Sequence, residues 1–404
     1  MDSFTKYQAH VQLQGQKNTR WLSHDDYLSR QHIAELDGLR SIAVALVITC
    51  HLHEKMWGFL HGQFGVTIFF VLSGYLITRL MLGEEFKTGH LNIPSFYIRR
   101  TFRIFPLYFF VLGIYTLLIL GFRSWPDKVL EFHHSLPYLV TYFQEIPFWR
   151  HVGAAPPFYQ SWSLGIEEKF YICFPVLMIA VTRSERNARL VVVALCISGS
   201  ALYEVFFSVR SIYHTKDYGS ILLGVLVAML LSNAKLYRAF IGLAGLLSSL
   251  AFVVALIAQF HIAPYSKPPY GEMSYAVAAA VLIGCFASSQ GLAYGVLSWR
   301  PFVFIGKLSY GIYLVHILCL NLVEHFAKPG RGRGVGILAY AGTLSASTGV
   351  AYLLHLSLEV PMIRLGRYLS RRAFPPKHQT DPASAYSLED RHNIMDSITP
   401  RASA

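Results

Sequence analysis

Charged side chains are scarce in this sequence. Of its 404 residues, 14% are charged and 53% are hydrophobic, whereas a soluble domain carries about 25% charged residues. The shortage is concentrated in long apolar runs, which excludes an ordinary soluble domain. The pattern predicts an all-α fold, a polytopic integral membrane bundle of helices.

Cysteine is also rare, and no CxxC pair occurs. All the cysteines lie within apolar stretches, which excludes a disulfide framework or a zinc centre and indicates small packing residues. We therefore expect no metal site. The cysteines are Cys50, Cys173, Cys196, Cys285 and Cys319.

The basic residues are unevenly distributed along the chain. The net charge is +12, but Lys and Arg concentrate in short loops between the apolar runs, where they set orientation in a membrane. We therefore reject nucleic acid as a partner and expect membrane lipid around the protein.

The apolar runs predict about ten transmembrane helices. An even number places both chain ends on one side of the membrane, and the bias of Lys and Arg makes that side the cytoplasm. The predicted spans are 39–57, 64–82, 104–121, 164–182, 190–209, 218–232, 240–260, 274–292, 306–326 and 335–357.

Composition divides the chain into three regions. Residues 1–32 are a polar cytoplasmic tail, residues 33–365 are the transmembrane domain, and residues 366–404 are a cytoplasmic tail that is first basic and then disordered. Residues 122–160 form a long loop rich in proline and aromatic residues. Loops this long are uncommon without a function, so this one is expected to cover a site.

An arginine and a histidine, Arg40 and His51, lie eleven residues apart inside one apolar run. On a helix, this separation returns both side chains to nearly the same face, roughly 16 Å apart along the axis. A charge in lipid is costly, and a buried histidine is a natural general base, so both are candidates for catalysis. The alternative is an interfacial arginine and a histidine that is hydrogen-bonded inside the bundle.

A basic cluster, Arg99, Arg100 and Arg103, stands at the predicted cytoplasmic start of the third span. Arg100 and Arg103 are i,i+3 and share a helix face. Two guanidinium groups on one face suit a phosphate or pyrophosphate. The alternative is that each arginine only fixes the orientation of the helix in the membrane.

Two adjacent carboxylates, Glu167 and Glu168, enter another apolar run. Adjacent helical residues point about 100° apart, so at least one of the two is expected to face protein rather than lipid. That carboxylate could orient a histidine or a substrate hydroxyl. The alternative is a favourable negative charge at a helix start.

Ser309, Tyr313 and His316 are spaced i, i+4 and i+7 in an otherwise apolar helix. They form one polar stripe, which either contacts substrate or makes hydrogen bonds between helices. Gly74 and Gly224 are expected to permit close helix packing.

Six blocks, in this order along the chain, resemble the acyltransferase-3 family of membrane O-acyltransferases. Two positions depart from the usual family pattern: Gly165 and Lys169 stand where small polar residues or glutamine are more common. We expect no fused esterase-like domain of the kind that many members carry. The blocks are Leu36-Asp37-Gly38-Leu39-Arg40 with His51, residues 64–77, Arg100-x-x-Arg103, Trp162-Ser163-Leu164 with Glu167-Glu168, Ser309 to His316, and Glu359-x-Pro361.

The resemblance implies an O-acetyltransferase of the bacterial inner membrane. Its donor would be acyl-CoA, usually acetyl-CoA, reached from the cytoplasm as a substrate and not held as a tight cofactor. Its acceptor would be a hydroxyl of a carbohydrate or lipid-linked glycan. His51 would be the general base and Arg40 would position the donor. Glu168, with Glu167, would orient the histidine or the acceptor, and the arginine cluster Arg99, Arg100 and Arg103 would hold the CoA phosphates.

The main alternative is a transporter or flippase of a glycan or organic anion, because intramembrane Arg, His and Glu also mark transport pathways. The sequence has no inverted repeat, which argues against that alternative. A non-enzymatic scaffold would not need Arg40 and His51 in line, and an acyltransferase superfamily built on a His–Asn pair fits this pairing less well.

Overall fold

The protein is described by a computed structural model, and within the described residues it is helical and contains no β-strand, which confirms the all-α class. The described residues are 21–52, 55–146, 157–182, 190–198, 200, 215–261, 270–289, 292–327 and 333–374.

Thirteen α-helices have both ends within the described residues. Short 3₁₀ turns at Lys55–Leu60, Pro126–Lys128 and Tyr159–Ser161 and π-helical turns at Leu117–Gly121 and His355–Glu359 join or extend them. The helices are α1 His24–Ser29, α2 Ala34–His51, α3 Phe64–Thr88, α4 Ile93–Thr116, α5 Val129–Val140, α6 Trp162–Thr182, α7 Thr215–Ser232, α8 Ala234–His261, α9 Tyr270–Ser288, α10 Leu292–Leu297, α11 Arg300–Ala327, α12 Arg333–Leu354 and α13 Val360–Ala373.

Among the described residues, six helices are long and apolar enough to cross a membrane. The expected number of about ten is not confirmed. The helices found at the predicted spans 39–57 and 164–182, α2 and α6, each contain three charged residues. Helix α2 ends at His51, before the predicted end of its span, and α7 is a shorter apolar helix. The predicted span 190–209 lies partly outside the described residues. The six are Trp57–Thr88, Ile93–Gly121, Ala234–Phe260, Gly271–Ser288, Arg300–Phe326 and Gly336–Ala373.

Helices α3 and α7 pack with their backbones in contact. A Cβ atom at Gly74 would overlap the carbonyl oxygen of Ile221, and one at Gly224 would overlap that of Val71. The expectation that these two glycines permit close packing is therefore confirmed.

Helix α11 packs against α2 on one side and α12 on the other. The contact with α2 is closest at Gly306, where a Cβ atom would overlap the carbonyl oxygen of Asp37. This close approach brings the predicted stripe of α11 onto the face of α2 that carries Arg40 and His51.

Part of the region assigned to the N-terminal tail packs on the bundle. Tyr27 is buried, and its hydroxyl lies 3.0 Å from that of Tyr75 on α3. Arg79 of α3 donates to the carbonyl oxygens of Tyr27 and Arg30, at 2.7 and 2.8 Å. The segment 21–33 is therefore bound to the middle of α3. Residues 1–20 and the tail from residue 375 lie outside the described residues.

Candidate functional site

A cavity of about 110 Å³ lies where α2, α3, α4, α6 and α11 meet. Seven of its lining residues are candidate catalytic, phosphate-binding or stripe residues from the sequence, and they come from four helices. Cationic and anionic side chains face each other across it, as expected of a site for a charged ligand. The seven are Arg40, Arg100, Arg103, Glu167, Glu168, Ser309 and Tyr313, and the cavity is also lined by Lys307, Tyr310, Tyr171, Ser73 and Glu359.

The arginines at this cavity are held in different ways. Arg40 donates to Asp37 at 3.1 Å, and Asp37 also lies 2.6 Å from His32. The Arg100 guanidinium lies over the Tyr171 ring at 4.0 Å, a cation–π contact that fixes its plane. Arg100 Nε is buried and has no hydrogen-bond partner within the described residues, so this N–H group can donate to a ligand oxygen.

Arg99 is placed apart from its two neighbours. It pairs with Glu84 of α3 at 2.8 Å and donates to Ser95 and Ser370. It does not line the cavity. These contacts connect α3, α4 and α13, so the role they indicate for Arg99 is structural.

The two glutamates of α6 lie with the arginines. Tyr171 Oη is 2.7 Å from Glu167 Oε2, so the phenol donates to the carboxylate, and it also lies 3.0 Å from Ser73 Oγ. Glu168 is buried and lines the same cavity. The structure thus assembles an acidic and basic lining here, away from the end of α2 where His51 lies.

The polar stripe of α11 runs from the cavity toward His51. Ser309 and Tyr313 line the cavity, and Tyr313 Oη lies 2.7 Å from Ser163 Oγ. His316 is fully buried and its Nδ1 lies 2.7 Å from the carbonyl oxygen of Tyr313, so Nδ1 donates. Its other ring nitrogen, Nε2, is buried without a hydrogen-bond partner in the described part of the chain.

His51 ends α2 and is half-buried. Its ring centroid is 5.0 Å from that of His316, and its Nδ1 is 2.7 Å from the hydroxyl of Tyr159. Burial raises the pKa of Tyr159 to about 12, so the phenol is protonated at neutral pH. Arg40 and His51 both face α11, one at the cavity and the other at the end of the stripe.

The segment 122–160 supplies this end of the site. Phe158 is fully buried against Tyr108 and Tyr115, with ring centroids 5.4 and 4.8 Å apart. Its φ of 67° is in the left-handed region, which turns the chain so that Tyr159 follows toward His51. Residues 147–156 of the predicted loop lie outside the described residues.

The two positions that depart from the family pattern contact this same segment. Lys169 donates to the carbonyl oxygen of Tyr142 at 2.7 Å and pairs with Glu145 at 2.7 Å. A Cβ atom at Gly165 would lie 2.6 Å from Glu145 Oε2. Gly165 therefore leaves room for the segment 122–160, and Lys169 binds that segment.

Sequence reasoning missed several residues of this arrangement. Tyr159 stands 108 residues from His51 along the chain, and no spacing rule connects them. Lys307 has a clear signal as a charged residue at the end of an apolar run, yet its position at the cavity depends on helix packing. Glu359 belongs to the last family block, but its place at this cavity also depends on packing. Glu359 also pairs with His355 at 2.7 Å.

Comparison with known proteins places the chain among acyltransferases. A family model described as an acyltransferase domain matches residues 33–356. YrhL of Bacillus subtilis (strain 168), provisionally named a peptidoglycan O-acetyltransferase, is 32% identical over 324 residues, covering 74% of this chain and 51% of that protein. The peptidoglycan O-acetyltransferase OatA of Listeria monocytogenes is 26% identical over 318 residues, covering 73% of this chain and 50% of that protein.

A provisionally named O-acetyltransferase of Staphylococcus aureus (strain COL) is 28% identical over 368 residues, covering 84% of this chain and 59% of that protein. The chain therefore spans between half and three fifths of the length of these relatives. No solved structure matches it. The family model matches most of the chain, including the helices that build the cavity. This integral membrane protein therefore belongs to the acyltransferase-3 family.

Proposed function

We propose that this protein is a membrane O-acetyltransferase that moves an acetyl group from acetyl-CoA to a hydroxyl of a cell-envelope carbohydrate. The observation that carries the proposal is the continuity of the site. The cationic cavity at Arg40, Arg100 and Arg103 is joined to His51 by the polar stripe of α11.

The arginine end suits the phosphates of the donor. Arg100 and Arg103 present two guanidinium groups on one face of α4, and Lys307 and Arg40 add positive charge from α11 and α2. Guanidinium groups bind phosphate oxygens with paired hydrogen bonds. On the proposed topology this end faces the cytoplasm of a bacterial cell, where acyl-CoA is present.

The end of the site at His51 suits the acyl-transfer reaction. His51 would remove the proton of the acceptor hydroxyl as its oxygen attacks the thioester carbonyl carbon. The tetrahedral intermediate then collapses, the C–S bond breaks, and the CoA sulfur takes the proton back from His51. Arg40 and His51 lie roughly 16 Å apart along α2, a distance that the flexible arm of CoA would cross.

Tyr159 and His316 would fix the orientation of the His51 ring. If Nδ1–H of His51 donates to the phenol oxygen of Tyr159, Nε2 is left with a lone pair for the acceptor proton. Glu167 and Glu168 lie with the arginines, so we assign them to the donor end, where Glu167 holds Tyr171 under Arg100.

The acceptor is proposed to be a glycan or a lipid-linked glycan, because the relatives are named for peptidoglycan. Its hydroxyl would approach His51 beside the segment 122–160. In this proposal the acceptor is modified at the outer surface of the bacterial inner membrane, and both chain ends lie in the cytoplasm.

Release of free CoA by the purified full chain in nanodiscs tests the proposal. With acetyl-CoA and a cell-envelope glycan extract, we expect His51→Ala to lower the rate by about 100-fold or more, the usual scale of a lost general base. The matched control is His325→Ala, an exposed histidine near the end of α11. Equal rates for His51→Ala and the unchanged protein would rule out His51 as the base.

The same assay separates the enzyme from a transporter or flippase. A transporter releases no CoA, whatever extract is added. Binding of acetyl-CoA is measured in parallel with Arg100→Ala and Arg103→Ala, which should weaken donor binding. Absence of both binding and CoA release in the unchanged protein would overturn the acyltransferase proposal.

A further inference from the structure

A second, larger cavity lies on the other face of α2. It has a volume of about 360 Å³ and is open on one side. Helices α11 and α12 and the turn Lys55–Leu60 form its other walls. Its lining residues are Ser41, Ile42, Ala45, Leu46, Thr49, Trp57, Leu60, Phe302, Ile305, Tyr340 and Leu344. We call it the α2 groove.

The α2 groove lies at membrane depth. It is bounded by three of the six helices that are long and apolar enough to cross a membrane, Trp57–Thr88, Arg300–Phe326 and Gly336–Ala373. Along α2 it runs from Ser41 to Thr49, roughly 12 Å. One leaflet of a bilayer has a hydrocarbon thickness of about 15 Å. The groove therefore extends over most of one leaflet.

The hydroxyl groups in its wall are already paired within the protein. Thr49 donates to the carbonyl oxygen of Leu46 at 2.6 Å and Ser41 to that of Gly38 at 2.7 Å. The wall is therefore apolar along its length, and a hydrocarbon chain is the ligand that matches it.

Trp57 differs from the rest of the wall. Its ring packs on Tyr340 with centroids 5.0 Å apart, and its Nε1 is buried without a hydrogen-bond partner among the described residues. The indole nitrogen can only donate. An acceptor oxygen is therefore needed at the Trp57 end, which is also the end of α2 where His51 lies.

We propose that the α2 groove binds one acyl chain of a glycerolipid, with an ester carbonyl of that lipid accepting from Trp57 Nε1. A glycerolipid carries a carbonyl oxygen where its hydrocarbon chain begins, which matches one donor at the end of an apolar groove. The lipid belongs to the leaflet on the His51 side. It would pack behind α2, on the face opposite to Arg40 and His51.

Two lipids that differ in one feature test this proposal. An ester-linked phosphatidylglycerol and its ether-linked analogue have the same chains and headgroup, but the ether lacks the carbonyl oxygens. Retention of each lipid by the full chain is measured by native mass spectrometry. We expect the unchanged protein to retain the ester lipid about tenfold more strongly, and Trp57→Phe to remove this preference.

The matched control is Trp299→Phe, since Trp299 is 60% exposed and outside the α2 groove. That variant should keep the preference for the ester lipid. Equal retention of both lipids by the unchanged protein, or the same preference in Trp57→Phe, would overturn the proposed hydrogen bond.

Fluorescence tests whether a chain occupies the groove. Brominated acyl chains quench nearby tryptophan, and the emission of Trp57 is obtained by subtracting that of Trp57→Phe. We expect quenching to saturate at a low fraction of brominated phosphatidylglycerol, and Ala45→Phe, which fills the groove, to abolish saturation. Quenching that rises in proportion to the lipid fraction would show bulk lipid contact and no site. Neither measurement depends on enzymatic activity, so both stand if the proposed function fails.

Discussion

At the scale of single residues, the site depends on contacts between parts of the chain that are far apart in sequence. His51 receives its hydrogen-bond partner from Tyr159 and its ring neighbour from His316. Arg100 is oriented by Tyr171, which in turn donates to Glu167. Both His51 and Arg100 are thus positioned by aromatic side chains from other parts of the chain.

Tyr159→Phe should slow turnover without weakening donor binding. The phenol is protonated at neutral pH and lies 2.7 Å from His51 Nδ1. Its removal takes away the hydrogen bond at Nδ1 of His51, and we expect kcat to fall by about tenfold, equivalent to about 1.4 kcal/mol. The KM for acetyl-CoA should stay the same, because the proposed phosphate site lies at the opposite end of α2.

Steady-state CoA release over a range of acetyl-CoA concentrations separates the two parameters. Tyr138→Phe is the control, since Tyr138 is 39% exposed on α5. A rise in KM with unchanged kcat in Tyr159→Phe would show that this residue acts on donor binding.

At the scale of helices, the close approach of α2 and α11 aligns the two halves of the site. Gly306 lies against the backbone of Asp37 at the cavity end of α11. From there the stripe Ser309, Tyr313 and His316 follows α2 to His51. A shift of α11 by one side-chain width would separate the stripe from His51.

Gly306→Ala should destabilise the protein although alanine is the better helix former. The added methyl group would overlap the Asp37 carbonyl oxygen, and overpacking of this kind costs about 1–3 kcal/mol. Thermal unfolding in detergent, followed by size-exclusion chromatography, measures the loss. Gly349→Ala on α12 is the control, because a Cβ atom there meets nothing within 4 Å. Equal midpoints for the two variants would contradict the packing argument.

At the scale of the whole molecule, the site has two ends at different depths. The proposed donor end collects positive charge at Arg40, Arg100, Arg103 and Lys307, and the proposed acceptor end carries His51. A protein built in this way would take its two substrates from opposite sides of the membrane.

Oriented proteoliposomes check this sidedness. With all molecules in one orientation, acetyl-CoA should support turnover only from the side of the chain ends. We expect at least a tenfold difference between the two sides, since CoA carries several charges and does not cross lipid. Permeabilised vesicles, in which both sides are accessible, are the control. Equal rates from either side would contradict the proposed topology.

The sequence by itself determined the class of this protein. Only helices and closed barrels satisfy their backbone hydrogen bonds in lipid. Scarce charge and apolar runs of this length predict helices, because a barrel strand needs only about ten residues to cross the membrane. The i,i+3 spacing of Arg100 and Arg103, and the stripe of Ser309, Tyr313 and His316, follow from helix periodicity, and the structure has both sets on helices as expected. Local periodicity is readable from the chain because it involves neighbours in sequence.

Tertiary structure alone decided which of these groups meet. It placed Glu167 beside Tyr171 and Arg100, Arg99 beside Glu84, and Tyr159 beside His51. Among the described residues the expected number of about ten spans is not confirmed, and two of the helices, α2 and α6, each carry three charged residues. Contacts across the bundle depend on how far each helix is rotated and shifted against its neighbours, and close packing at residues such as Gly306 sets that rotation and shift.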